Sequence, residues 1–264
     1  MKLFITCGYN NSLETVGLIQ SLVDKKIPIY GVLITKAFNI ARIRMYVRQL
    51  KPSGFYRKFK DKIVSRYLSV KRSEESLILE TYLKERGMKL IPVSSYCKQN
   101  DIPYRFVTSL NSYPSREYIK ESDLVVYSGG GLIRKEFLKI PSVGVLNCHS
   151  GPLPAIRGMN VLEWSLLLGI PPANTLHLID EGVDTGDIIE MIPKKYPLDE
   201  GISHLRGKNH IDFIEDMTYG VEKILAGDYN RTPQNIKEGK QYYIMHPMLR
   251  SIAESRYRTR SYVE

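Results

Sequence analysis

Within its first 34 residues the chain runs from an apolar strand through an amphipathic helix to a second apolar strand, and that order commits it to a parallel sheet. Residues 3–6 are a short apolar run, and Cys7-Gly8-Tyr9-Asn10-Asn11 reads as a turn. Ser12 stands where a helix would be capped, and Val16, Leu18, Ile19, Leu22 and Val23 recur behind it at helical spacing. Residues 29–34 then read as a buried strand. Two strands joined by a helix form a βαβ unit, whose strands lie side by side and parallel. Further strands are expected at 103–107, 124–127, 143–147, 176–179 and 188–192, with helices over 74–86, 163–168 and 203–225. The fold class is therefore α/β, a Rossmann-like doubly wound, mostly parallel sheet. The turn after the first strand holds one glycine rather than a GxGxxG run, which disfavours a dinucleotide ligand.

Length and charge refine this frame. With 264 residues, 43% of them hydrophobic, the chain can bury one ordinary α/β core. We read residues 1–232 as one domain and 233–264 as a C-terminal tail packed on it. Residues 36–72 carry twelve Lys or Arg against one acid, a balance of +11 in a chain whose net charge is +10. The rest of the protein is thus electrically balanced, and this segment sets its basicity. Ile40, Ile43, Val47 and Leu50, then Phe55, Phe59, Ile63 and Tyr67, fall on single helical faces, so two amphipathic basic helices are expected as an insertion. Such an insertion has the character of a phosphate-steering rim, or of a docking surface for RNA or an anionic membrane. No apolar run reaches membrane-spanning length, and the N-terminus lacks a leader's apolar core, so the expected compartment is the cytoplasm. Cys7, Cys97 and Cys148 lack any disulfide or metal-ligand spacing, and His204 and His210 lack a third ligand, so no metal is expected.

Chemistry concentrates between residues 124 and 187. The strand at 124–127 runs into Gly129-Gly130-Gly131, and the strand ending at Asn147 delivers Asn147, Cys148 and His149. Parallel neighbours empty onto one rim, where α/β sheets bind ligands. Two positions apart on an extended chain, Asn147 and His149 point to one side, and an amide beside an imidazole suits an oxygen that gains charge. Cys148 points the other way, into the sheet. Residues 150–158 hold two prolines and read as a fixed loop, and Asp180 to Asp187, with two glycines, read as a tight turn presenting carboxylates. A lone Asn-x-His is more often a capped turn than a catalytic pair; it is the company of the loop and the turn that makes it catalytic.

The combination of Asn147-Cys148-His149, Leu153-Pro154-Ala155-Ile156-Arg157-Gly158, and His177 followed by Asp184-Thr185-Gly186-Asp187 resembles the N10-formyltetrahydrofolate-dependent formyltransferases. That family includes enzymes acting on glycinamide ribonucleotide, on methionyl-tRNA and on nucleotide-linked amino sugars. The resemblance covers roughly residues 1–225 and is strongest over 122–190. It implies the formyltransferase fold, Asn147, His149 and Asp184 as catalytic residues, and a pterin lying against Gly130, Gly131, Leu132, Ile133, Asp180 and Asp184. It makes N10-formyltetrahydrofolate the co-substrate. It leaves His177, Asp180, Glu181 and Asp187 as turn, capping or neighbouring residues. The acceptor it points to is a small anionic amine, a nucleotide-diphosphate amino sugar, because Ser150-Gly151-Pro152 resembles sugar-modifying members. Methionyl-tRNA is the first rival, favoured by the basic segment and opposed by the 77 residues after Asp187, too few to finish the core and add a further barrel domain. Glycinamide ribonucleotide is a further candidate, and a non-catalytic RNA- or membrane-binding module is the rival from another class. The sequence leaves the oligomeric state open.

Overall fold

The computed structural model describes residues 1–36, 73–197 and 200–259. From residue 37 on, the expected basic helical insertion lies outside the described residues. The elements run β1 (Leu3–Cys7), α1 (Leu13–Asp24), β2 (Ile29–Thr35), α2 (Glu74–Glu85), α3 (Val93–Gln99), β3 (Tyr104–Val107), α4 (Tyr113–Tyr118), β4 (Leu124–Ser128), α5 (Lys135–Leu138) and β5 (Gly144–His149). They continue as β6 (Ile156–Gly158), α6 (Val161–Leu168), β7 (Ala173–Leu178), β8 (Ile188–Pro193), α7 (Ile202–Ala226), β9 (Lys240–Tyr242) and α8 (Pro247–Thr259).

Among the described residues, seven strands form one sheet in the order β3-β2-β1-β4-β5-β7-β8. The first five pair in parallel, and β7 pairs antiparallel with both β5 and β8. The order reverses between β1 and β4, so the two halves wind outward from that seam, as doubly wound sheets do. Alternation along the strands separates two cores. Ile5, Ile34, Val126, Leu146, Cys148 and Leu176 face α1 and α7, where Val16, Ile19, Met217 and Val221 cover them. Phe4, Leu33, Val125 and Val145 face the other side, under Leu110, Ile119 and Phe137. The first helix starts where the capping residue predicts, with Ser12 Oγ accepting from Thr15 N.

Two elements depart from the sequence reading. Residues 156–158, expected as part of a fixed loop, form β6 and pair in parallel with β9, Gly158 opposite Tyr242. The segment after α7 therefore returns to the body as a strand, and then as α8, whose Ala253 and Tyr257 pack with Leu162, Leu166 and Leu205. The Tyr257 hydroxyl donates to Tyr196 O at 2.7 Å, and Trp164 Nε1 donates to Tyr243 O at 2.9 Å. Among the described residues no helix is long and apolar enough to cross a membrane.

Candidate active site

The site follows from the register of β5 and β7. Asn147 lies opposite His177 and His149 opposite Thr175, while Cys148 lies opposite Leu176. Side chains alternate across a sheet, so Asn147, His149, Thr175 and His177 share the face away from α1 and α7. Cys148 turns to the opposite face, where burial pushes its thiol well above the ordinary value, as befits a packed core residue rather than a nucleophile.

Asp184 completes the cluster from the turn that follows β7. Its carboxylate accepts a hydrogen bond from the Gly158 N–H at 2.9 Å and lies 3.6 Å from His149 Nδ1 and 3.8 Å from His177 Nε2. One carboxylate thus stands between two imidazoles, whose rings sit edge to face with centroids 6.3 Å apart. The Asn147 amide donates to His177 Nε2 at 3.0 Å, and His177 Nδ1 donates to Leu178 O at 3.3 Å. That pair of bonds specifies a neutral ring with its proton on Nδ1. Burial, followed by the neighbouring His149, pushes the His177 pKa down to about 4, in agreement with the hydrogen bonding. His149, 6% exposed, donates from Nε2 to Ile156 O at 2.9 Å.

The loop before β6 is clamped to the same face. The Thr175 hydroxyl donates to Gly151 O at 2.7 Å and accepts from Leu153 N at 3.1 Å. Arg157 reaches away from the cluster and donates to Ile236 O and Gly239 O, tying the loop to the C-terminal segment. The sequence alone leaves His177 among the neighbours and gives Thr175 no role. The signal for both was the alternation of polar residues in Asn174-Thr175-Leu176-His177, legible only once β7 is known to pair with β5.

The residues assigned to the pterin lie along a connected rim. A Cβ on Gly130, whose φ is +126, would stand 2.7 Å from Leu110 Cδ1, so the position has no room for a side chain. Asn111 fixes the next stretch, donating to Leu132 O at 2.8 Å and accepting from Arg134 N at 2.7 Å; the Tyr127 hydroxyl donates to Gly131 O at 3.1 Å. The Leu132 side chain is exposed, and Ile133 and Ile179 each pack against the core cluster that contains Phe137. Lys135 pairs with Glu181 at 3.0 Å, bridging this rim to the carboxylate turn. Asp180 caps that turn, accepting from Gly182 N and from the Thr185 hydroxyl. A cavity of about 290 Å³ lies against the turn, lined by Leu138, Val143, Leu178, Ile179, Asp180 and Asp187 among others. A second, of about 250 Å³, lies among Tyr9, Glu14, Leu79 and His210. Neither is lined by Asn147 or His149. Among the described residues no three His, Cys, Asp or Glu side chains are grouped to hold a metal ion.

The neutral His177 makes a testable demand on stability. Its pKa is depressed in the fold, so the unfolded chain binds the proton first, and stability present above about pH 6.5 drains away as pH falls toward about 4. His177→Gln removes that titration. Urea unfolding across this window is expected to give a flatter dependence on pH for the variant than for the native protein; parallel curves would rule out a buried neutral imidazole.

The chain as a whole is similar to known proteins. A family model described as formyl transferase matches residues 51–200, more than half of the chain. A methionyl-tRNA formyltransferase of Clostridioides difficile (strain 630) is 31% identical over 177 residues, covering 64% of this chain and 57% of the relative. Another from Prochlorococcus marinus (strain MIT 9312) is 27% identical over 168 residues, covering 61% and 49%. The chain thus spans about half the length of these relatives. Among solved structures, an N-formyltransferase from Helicobacter canadensis in complex with folinic acid and dTDP-3-aminofucose aligns over 98% of this chain and 80% of its own, with 16% identity and a TM-score of 0.59. At that identity the likeness is one of fold.

Proposed function

The chain belongs to the formyl transferase family, and from that premise we propose that it moves a formyl group from N10-formyltetrahydrofolate to the primary amine of a nucleotide-linked amino sugar. The observation that carries the reading is the meeting of Asn147, His149 and Asp184 on one sheet face, with Asp184 3.6 Å from His149 Nδ1.

In the proposed reaction the neutral amine attacks the formyl carbon and the formyl oxygen takes up negative charge. Asn147 spends one amide hydrogen on His177 and keeps the second for that oxygen. His149 exchanges the Ile156 carbonyl for the same oxygen, a short movement of a ring already oriented by its neighbours. The intermediate collapses by breaking the bond to N10, which gains a proton as the attacking nitrogen loses one. Asp184, beside His149 and on an exposed turn, is the group that passes that proton, directly or through water. The pterin suits the ground between the backbone at Gly130, Gly131, Leu132 and Ile133 and the turn from Asp180 to Asp184. The neighbouring cavity of about 290 Å³ sets the Asp180 and Asp187 carboxylates beside Leu138, Val143 and Ile179, and a carboxylate there suits the amino and ring N–H groups of a pterin.

For the acceptor, a nucleotide sugar is supported by the C-terminal segment. Tyr242 lies opposite Gly158, the residue that donates to Asp184, and Tyr243 beside it is 69% exposed, an aromatic face within reach of a base. The Helicobacter canadensis neighbour, bound to folinic acid and dTDP-3-aminofucose, adds support. The second reading, methionyl-tRNA, is favoured by the names of the sequence relatives and by the +11 balance of residues 36–72. The test is incubation with N10-formyltetrahydrofolate and, in turn, a panel of nucleotide-linked amino sugars, glycinamide ribonucleotide and charged initiator tRNA, reading formylated product by mass. Product from an amino sugar is expected. Product from tRNA alone selects the second reading, and none from any amine removes both.

A further inference from the structure

The turn that carries Asp184 is gripped from outside by a side chain of the segment after α7. Leaving that helix, the chain makes a bridge to the start of β8, in which the backbone groups of Ile188 and Thr232 exchange two hydrogen bonds of 2.9 Å. This fixes the chain two residues before Gln234. Gln234 Nε2 then donates to Asp184 O at 3.2 Å and to Gly186 O at 2.6 Å. Both amide hydrogens are used on these carbonyls, and the flipped amide would set an oxygen against two oxygens, so the orientation is determined. Gln234 Oε1 is buried with no hydrogen-bond partner among the described residues, so what the side chain contributes lies in the two bonds it donates.

What those bonds hold is a left-handed turn. Asp184 has φ +53, in the left-handed region, which Asp enters more readily than most residues with a Cβ but still less favourably than ordinary helical or extended backbone. In that conformation its carboxylate faces His149 and accepts from Gly158 N. We propose that Gln234 is a positioning residue, which bridges the Asp184 and Gly186 carbonyls and thereby keeps the Asp184 carboxylate on His149. The kinetic consequence rests on the formyl-transfer reading; the structural consequence does not.

The experiment compares native protein, Gln234→Ala and Gln234→Glu by hydrogen exchange, melting and, with the acceptor found above, steady-state kinetics. In Gln234→Ala the Gly158 amide should exchange about tenfold faster, and kcat should fall about tenfold with acceptor KM changed by less than about twofold, since a lost pair of bonds acts on Asp184 and not on the acceptor. Gln234→Glu sets a carboxylate against the two carbonyls at neutral pH. Its kcat should be as low as that of Gln234→Ala there and recover as the pH falls and the new carboxyl gains a proton it can donate. Unchanged Gly158 exchange in Gln234→Ala overturns the proposal, as does a loss of activity that follows Tm and shows no pH difference between the two variants. Faster Gly158 exchange in a protein that formylates no amine upholds the clamp and removes the functional reading alone.

Discussion

Replacing Asn147 or His149 by alanine is expected to lower kcat by about 10² or more, the scale of losing one donor to a developing oxyanion. The two cases differ in what else they disturb. Asn147→Ala takes the donor from His177 Nε2 and leaves a buried acceptor unpaired, while His149→Ala strips the Ile156 carbonyl of its partner. Each therefore costs about 1–3 kcal/mol of stability as well, and melting curves must accompany the kinetics. Asp184→Asn keeps shape and removes charge beside His149, and should lower kcat on the same scale with the smallest change in Tm. Because the three act on one charge, the double variant Asn147→Ala/His149→Ala should lose less than the product of the single losses. Near-normal turnover in any two of the single variants, at matched melting, would sink the assignment of these residues to catalysis.

How much of this was legible in the sequence depends on where each residue's partner lies. β1, β4 and β5 each open on an apolar run, as buried parallel strands do, and their order alone sets Asn147 and His149 at a ligand-binding rim. The start of β7 was harder, because Ala173-Asn174-Thr175 looks like loop. Asn174 is buried all the same, satisfied by Asp216 at 2.7 Å and Asn209 at 3.0 Å across α7. β6 and β9 are three residues each, and the residues they pair, Ile156 with Lys240, lie too far apart in sequence for any local pattern to join them. α8 carries little sequence signal, because its buried side is little more than Ala253 and Tyr257. His177 and Gln234 act through antiparallel register and through a returning chain, relations between distant segments that spacing along one segment does not encode.

The same returning chain predicts a second large effect, from Gly158→Ala. Gly158 has φ +102, and a Cβ built there would stand 2.1 Å from Tyr242 O, with Tyr242 N and C at 3.2 Å. These are backbone atoms of the paired strand and cannot swing aside, so β6 and β9 must part. The substitution is expected to cost about 2 kcal/mol or more, which for a domain of this size is a fall in Tm of roughly 4–8 °C. It should also lower kcat, because the Gly158 N–H that donates to Asp184 moves with the strand. Gly227→Ala serves as the control. Gly227 ends α7 with φ +73 and has nothing within 4 Å of an added Cβ, so it carries the conformational cost of a left-handed alanine, roughly 1–2 kcal/mol, without a collision. If strand separation governs the site, Gly158→Ala should lose activity at temperatures where it is still folded, while Gly227→Ala loses stability alone. Equal activity per folded molecule in the two variants would show that the pairing of β6 with β9 leaves the position of Asp184 untouched.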